Sequence, residues 1–329
     1  MASNGQPTLP QIIDSTMLTC FRACPQKYFR EFVQGYRPPG ISIDLHAGAC
    51  FAEAIEEVRR QVWLHNKPLG DALMLAQARF FCSWGDVEAP EWKRTAKTKD
   101  RVWEAVESYF QHYSPLTDHV RPYKRPDGSP TLEYTFAIPL LPCIPWSDQF
   151  LPLDTHFPSH PNGDPFIYTG RFDMVGEYQG HPCVCDEKTT GSSIGKNWAY
   201  QWDLRSQFIG YVWACQQNGI DLDTVVVRGI AIQMTQIVHA EAIKTYSQHL
   251  IAKWYDQLRR DMWRLVSNYN DNHFDYNLGD SCTAYGTCAF MAVCQSNNPD
   301  TWLQDFVVRH WNPLDKNPTG NDLNAGSTF

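Results

Sequence analysis

The stretch that most restricts how this chain folds is GRFDMVGEYQGHPCVCDEKTT, residues 170–190. It reads as two strands joined at Gln179-Gly180. A two-residue loop with glycine second suits the positive φ of a type I′ turn, so Tyr178 and His181 are expected to close the hairpin. Those two numbers sum to 359, as do Asp173 and Asp186. The spacing therefore predicts the two aspartates opposite each other, with Cβ atoms about 4.5–5.5 Å apart.

Like charges so placed destabilise a sheet unless a proton is shared or a cation bridges them. Alternation along the strand puts Lys188 on the face of Asp186 and turns Glu187 the other way. Two carboxylates and an ammonium on one patch suit a hard divalent cation, with the lysine placed to orient water or stabilise developing charge. A surface hairpin with solvated acids is the plainer alternative. The apolar company of Phe172, Met174, Val175, Val184 and Cys185 favours a buried sheet.

Around this hairpin, apolar spacing predicts helices over 11–34, with Asp14 or Ser15 as N-cap, from about 47 into the sixties, over 68–82 and over 98–113. Strands are expected at 131–140 and 223–236, helices at 198–217 and about 246–268, and a long proline-rich surface loop at 141–165. The chain is thus expected to hold one domain over 11–300. Its parts are a mostly helical region to 115, a sheet core at 130–240, and a C-terminal helix with a cysteine segment at 245–300. Residues 1–10 and 318–329 are expected to be disordered.

The chain has 329 residues and a net charge of −8, which argues against broad electrostatic attraction to nucleic acid while leaving local phosphate contacts open. No apolar run is long enough to span a membrane, and the N-terminus has no signal-peptide pattern. A soluble, cytoplasmic protein is expected. Eleven cysteines without a secretion signal read as buried small apolar residues rather than a disulfide framework.

GRFDMV followed by VCDEKTT resembles the PD-(D/E)XK nuclease superfamily, in particular its RecB-like branch, where an Asp in one strand precedes an Asp-x-Lys in the next. Asp173, Asp186 and Lys188 match. Gln207 and Tyr211, at i and i+4 on the following helix, resemble the branch's Gln-x-x-x-Tyr motif. Ser15, Leu18, Cys24, Pro25 and Tyr28 resemble its N-terminal helix. The match departs where LHAGACFAEAIEE aligns Gly48 with a motif glycine but leaves Ala52 where a histidine ligand belongs. Glu53 or Glu56 then stands as the substitute metal ligand, with His46 a poorer candidate and a solvated helix face the plain alternative.

The resemblance implies an α/β, restriction-endonuclease-like core, a mixed central sheet flanked by helices, and metal-dependent hydrolysis of DNA. Mg²⁺ or Mn²⁺ would sit on Asp173 and Asp186. Arg171, Lys196 and Arg205 are candidate DNA contacts. Some members hold a [4Fe–4S] cluster on one N-terminal and three C-terminal cysteines. Cys24, Cys282, Cys288 and Cys294 are the corresponding set, with zinc as the alternative metal and Cys20 also in reach. Their spacing departs from the usual pattern, with Tyr285 where the middle cysteine would stand. The implied partners are DNA, single-stranded or with free ends, and a helicase or recombinase. The implied setting is a bacterial cell or phage-infected host, in recombination, repair or phage replication. A weak nuclease fold serving only to bind DNA or protein is the competing reading.

Overall fold

The computed structural model describes residues 7–89, 94–141, 156–284 and 286–315. Both expected disordered ends fall largely outside these, as does most of the expected 141–165 loop. The chain divides into two compact units. One comprises Met1–Gly40, Phe136–Gly170 and His249–Phe329, and the other Ile41–Thr135 and Arg171–Gln248.

In the first unit, strand β1 (Ile12–Ile13) leads into helix α1 (Ser15–Ala23), and the Asp14 carboxylate caps the helix by accepting the Met17 N–H at 2.8 Å. The single helix expected over 11–34 is broken. A proline disfavours helical backbone in the residue before it, and Cys24, before Pro25, is extended at φ −162, ψ 107. A short α2 (Pro25–Tyr28) and a π-helical turn, Phe29–Val33, follow the break. Strand β2 (Tyr36–Arg37) pairs antiparallel with β9 (Val307–Val308) near the C-terminus. The helix expected at 246–268 is α7 (Gln248–Asn270), tied to α1 by an Arg22–Asp261 ion pair at 2.6 Å. Short helices α8 (Met291–Gln295) and α9 (Pro299–Leu303) complete this unit. Within it β1 pairs in parallel with the beginning of strand β5 (Ile167–Tyr178), Ile12 opposite Ile167.

The second unit is a mixed sheet with helices on both faces. Its helices are α3 (Ile43–Trp63), α4 (Leu69–Trp84), α5 (Lys99–His112) and α6 (Ser206–Gln217). Strand β5 pairs antiparallel with β6 (His181–Thr190), β6 parallel with β7 (Thr224–Ile232), and β7 antiparallel with β8 (Ile237–Thr245). Strands β3 (Val120–Pro122) and β4 (Leu132–Pro139) also pair with β5. The helices α3, α4 and α5 pack a continuous core onto Ile230 and Ile232 of β7. This is the expected α/β class, with a mixed sheet flanked by helices.

Two further expectations shift. The strand read over 223–236 ends at Ile232, and after a turn closed by a Gln233 N–H to Gln236 carbonyl bond the chain returns as β8. The helix read over 198–217 is a 3₁₀ turn, Trp198–Trp202, followed by α6.

Candidate active site

The hairpin forms in the register the turn demands. Gln179 and Gly180 both have positive φ, 52° and 81°, as a type I′ turn requires. Pairing runs from Tyr178↔His181 to Met174↔Cys185 and stops one residue short of the aspartates. There the Asp173 Oδ2 accepts the Glu187 backbone N–H at 2.9 Å, a carboxylate taking the role of a ladder carbonyl. Asp186 is 2% exposed. Its Oδ1 forms an ion pair with the Lys188 ammonium but makes no well-angled hydrogen bond. The Lys188 ammonium also lies 5.7 Å from the ring centroid of Phe208 on α6.

Burial, then the Asp186 charge, pushes the Asp173 carboxyl well above the ordinary carboxylate range. Burial likewise raises Asp186, with Lys188 working against it. Burial would strip the proton from Lys188, but Asp186 and then Asp173 outweigh it and hold the ammonium charged. Two crowded carboxylates short of positive charge are what a bound cation relieves.

Glu187 does point to the opposite face, into a buried charge network. It receives two bonds from Arg59 of α3 and one from the Tyr109 hydroxyl of α5 at 2.7 Å. Arg228, its neighbour across the ladder on β7, is fully buried and binds Tyr109, Asp118 and Glu241. Burial opposes the Glu187 charge, but Arg59 outweighs it and brings the carboxyl down to about 2. Strand β6 is thereby pinned between its two reactive-face residues.

Gln207 donates to the Tyr211 hydroxyl at 2.8 Å, and the Tyr211 ring meets Phe172 of β5 edge-on at 4.8 Å. Arg171 pairs with Glu133 at 3.1 Å. Arg205 is exposed just before α6, and its charge reaches both Asp186 and Lys188. Lys196 is exposed in the 191–197 connection. Ala52 is exposed on α3, Glu53 accepts a 2.6 Å bond from Ser83 of α4, and Glu56 is half-buried. His46 faces Trp84, within 3.1 Å of its carbonyl. Among the described residues no three His, Cys, Asp or Glu side chains gather into a group that could hold a metal ion. Glu53 and Glu56 thus do not join Asp173 and Asp186 as a ready third ligand.

Sequence reasoning passed over Arg59 and Lys97. Lys97 is buried, bonds Thr189 of β6 at 3.5 Å and pairs with Asp44 of α3 at 3.7 Å. A lysine among the charged residues of TAKTKD carries no local mark of that role.

In the first unit, the Asn277 amide donates to the Ala23 carbonyl at 2.7 Å and the Gln26 N–H to the Asp275 carbonyl at 3.0 Å, joining the C-terminal segment to the α1–α2 break. Burial raises the Cys294 thiol, Arg30 opposes, and Cys288, Cys24 and Cys282 add to the rise, so the four sulfurs lie within electrostatic reach. As placed, they do not close into a metal-holding group.

The donor set of the acidic pair fits a magnesium-like ion, which keeps several waters and takes one or two carboxylates plus substrate phosphate rather than a full protein cage. A family model described as the PD-(D/E)XK nuclease superfamily matches residues 15–295. No curated protein matches the chain. A crystal structure titled SSO0001 is 14% identical, covers 76% of this chain and 85% of its own, and superposes with a TM-score of 0.29.

Proposed function

The chain belongs to the PD-(D/E)XK nuclease superfamily, and we propose that it is a metal-dependent deoxyribonuclease acting on DNA ends. The observation that carries this is the pair Asp173 and Asp186, crowded together with Lys188 beside them. Mg²⁺ or Mn²⁺ held there would supply an activated water and neutralise charge on the phosphate. Lys188, kept cationic by Asp186, donates to a phosphate oxygen where negative charge builds. Gln207 and Tyr211 hold the α6 face against β5, and Arg205 and Lys196 offer exposed charge to the flanking phosphates. Glu56, on the helix stripe of Gly48 and Ala52, is the candidate from α3 to approach a bound ion.

Digestion of end-labelled linear and circular DNA tests this reading. Cleavage that needs Mg²⁺ or Mn²⁺, stops with EDTA and falls at least a hundredfold in Asp186→Ala is expected, about the cost of losing one positioned charge-stabilising group. Circular substrates surviving while linear ones are lost would mark exonuclease action. A folded wild-type protein that binds DNA but cleaves none would favour a binding module, for which the exposed Ala52 at the histidine position is the specific observation.

A helicase or recombinase partner, and a place in recombination, repair or phage replication, extend the same reading of a nuclease that acts on DNA ends. The second constellation we read as a site for a [4Fe–4S] cluster or zinc on Cys24, Cys282, Cys288 and Cys294. Support comes from the bonds that join the α1–α2 break, beside Cys24, to the segment after α7. Iron and zinc analysis of protein purified without oxygen tests it, and metal-free, fully folded protein would refute it.

A further inference from the structure

Resting on the nuclease reading, we propose that Trp198 and Tyr200 form a stacking platform beside Lys188 that takes the bases of a single strand and so selects single-stranded over duplex nucleic acid. The placement follows from the sheet. Lys188 pairs with Gly229 across the parallel β6–β7 ladder, and paired residues there point to the same face. A Cβ added at Gly229 would lie 2.3 Å from Cζ2 of Trp198. The indole therefore stands on the Asp186 and Lys188 face, over the strand that lies one spacing of ~4.8 Å from the lysine strand. Only a glycine leaves it room.

The 3₁₀ turn that carries Trp198 is anchored from behind. Trp202 is buried and meets Trp198 edge-to-face, with ring centroids 5.5 Å apart at 78°. Tyr200, between them, is instead 68% exposed, and Leu204 just beyond is 74% exposed. Tyr200 and Leu204 thus leave apolar surface open on the segment that carries Trp198. The Lys244 ammonium lies 5.8 Å from the Tyr200 ring centroid and pairs with Asp203, which holds a cation beside the ring. Lys196 and Arg205 bracket the turn and are both exposed.

Aromatic rings interleaved with cations are the arrangement that binds single strands without sequence preference, since every base has a π-face and the cations follow the backbone. A duplex keeps its base faces stacked on one another and gives such rings nothing to meet. Strand selectivity thus comes from these rings, whereas the cations attract either form.

The test measures binding of fluorescein-labelled oligothymidylate and of a duplex of equal length to Asp186→Asn protein in EDTA, so that cleavage and metal do not enter. Tyr200→Ala is expected to weaken single-strand binding about tenfold, the effect of losing one stacked base. Tyr200→Phe should restore it, and duplex binding should stay unchanged. Trp198→Phe, which keeps a ring over Gly229, should lose less than Tyr200→Ala. Equal weakening on both substrates, no change in Tyr200→Ala, or no single-strand binding at all would overturn the platform. Loss of cleavage by wild-type protein would instead overturn the nuclease reading, and a ring-dependent single-strand preference would stand without it.

Discussion

At the scale of single residues, the reactive face depends on charges that the sequence does not announce. Arg59 and Glu187 are far apart in the chain and share no motif, yet their buried pair fixes the middle residue of the Asp-Glu-Lys run. Arg59→Met should cost about 3–5 kcal/mol in urea denaturation, because it strands a buried carboxylate. Adding Glu187→Gln should recover part of that loss. Asp173, Asp186 and Lys188 were legible because a two-residue turn fixes register and register fixes faces. Arg59 and Lys97 were not, because an ion pair between distant segments leaves no periodic trace. His239 supplies a separate test. Burial, helped by stacked His112, lowers its imidazole from 6.5 to about 4, with Ser108 at 2.8 Å and Tyr113 edge-on completing its surroundings. The unfolded chain therefore takes up a proton that the folded one declines. Stability from this group is complete above about 6.5 and falls as pH drops towards 4. The melting temperature of wild type should fall more than that of His239→Asn between pH 7 and pH 5.

At the scale of elements, most helices and strands were legible from apolar period, and the errors have physical causes. The 11–34 run was broken by the effect of Pro25 on Cys24, a local rule that the periodicity overrode. Strand β8 was missed because Gln233 to Gln236 offers neither glycine nor proline to mark a turn, while IVHAEAIKT has only a half-buried pattern. The contact between β7 and the 3₁₀ turn after β6 was equally hidden. Gly229 in a strand of valines and isoleucines is the trace it leaves, since glycine inside a strand often marks close approach of another group. Gly229→Ala should force Trp198 off the sheet and cost about 1–3 kcal/mol, the range for overpacking. Thermal denaturation measures the cost, and a red-shifted tryptophan emission would report the displaced indole.

At the scale of the whole molecule, a net charge of −8 leaves any bound nucleic acid to a few local cations against a repulsive background. If Lys196, Arg205 and Lys244 carry the phosphate contacts, a plot of log affinity against log salt for single strands should have a slope of about −2, at ~0.7 per phosphate. A slope of about −5 or steeper would mean a wider basic surface. The sequence reading took 11–300 as one stretch of domain, and no local pattern marks where the chain leaves one compact unit for the other. The first unit takes its residues from the beginning, the middle and the end of the chain, and Ile12 waits for Ile167 as its strand partner. Every residue of the unit that bears the acids, by contrast, lies between 41 and 248. During synthesis, residues 12–40 therefore have no finished unit to join until α7 and the cysteine segment leave the ribosome. The hairpin with its two aspartates can be assembled before then, so the order of birth runs against the usual N-terminal-first rule.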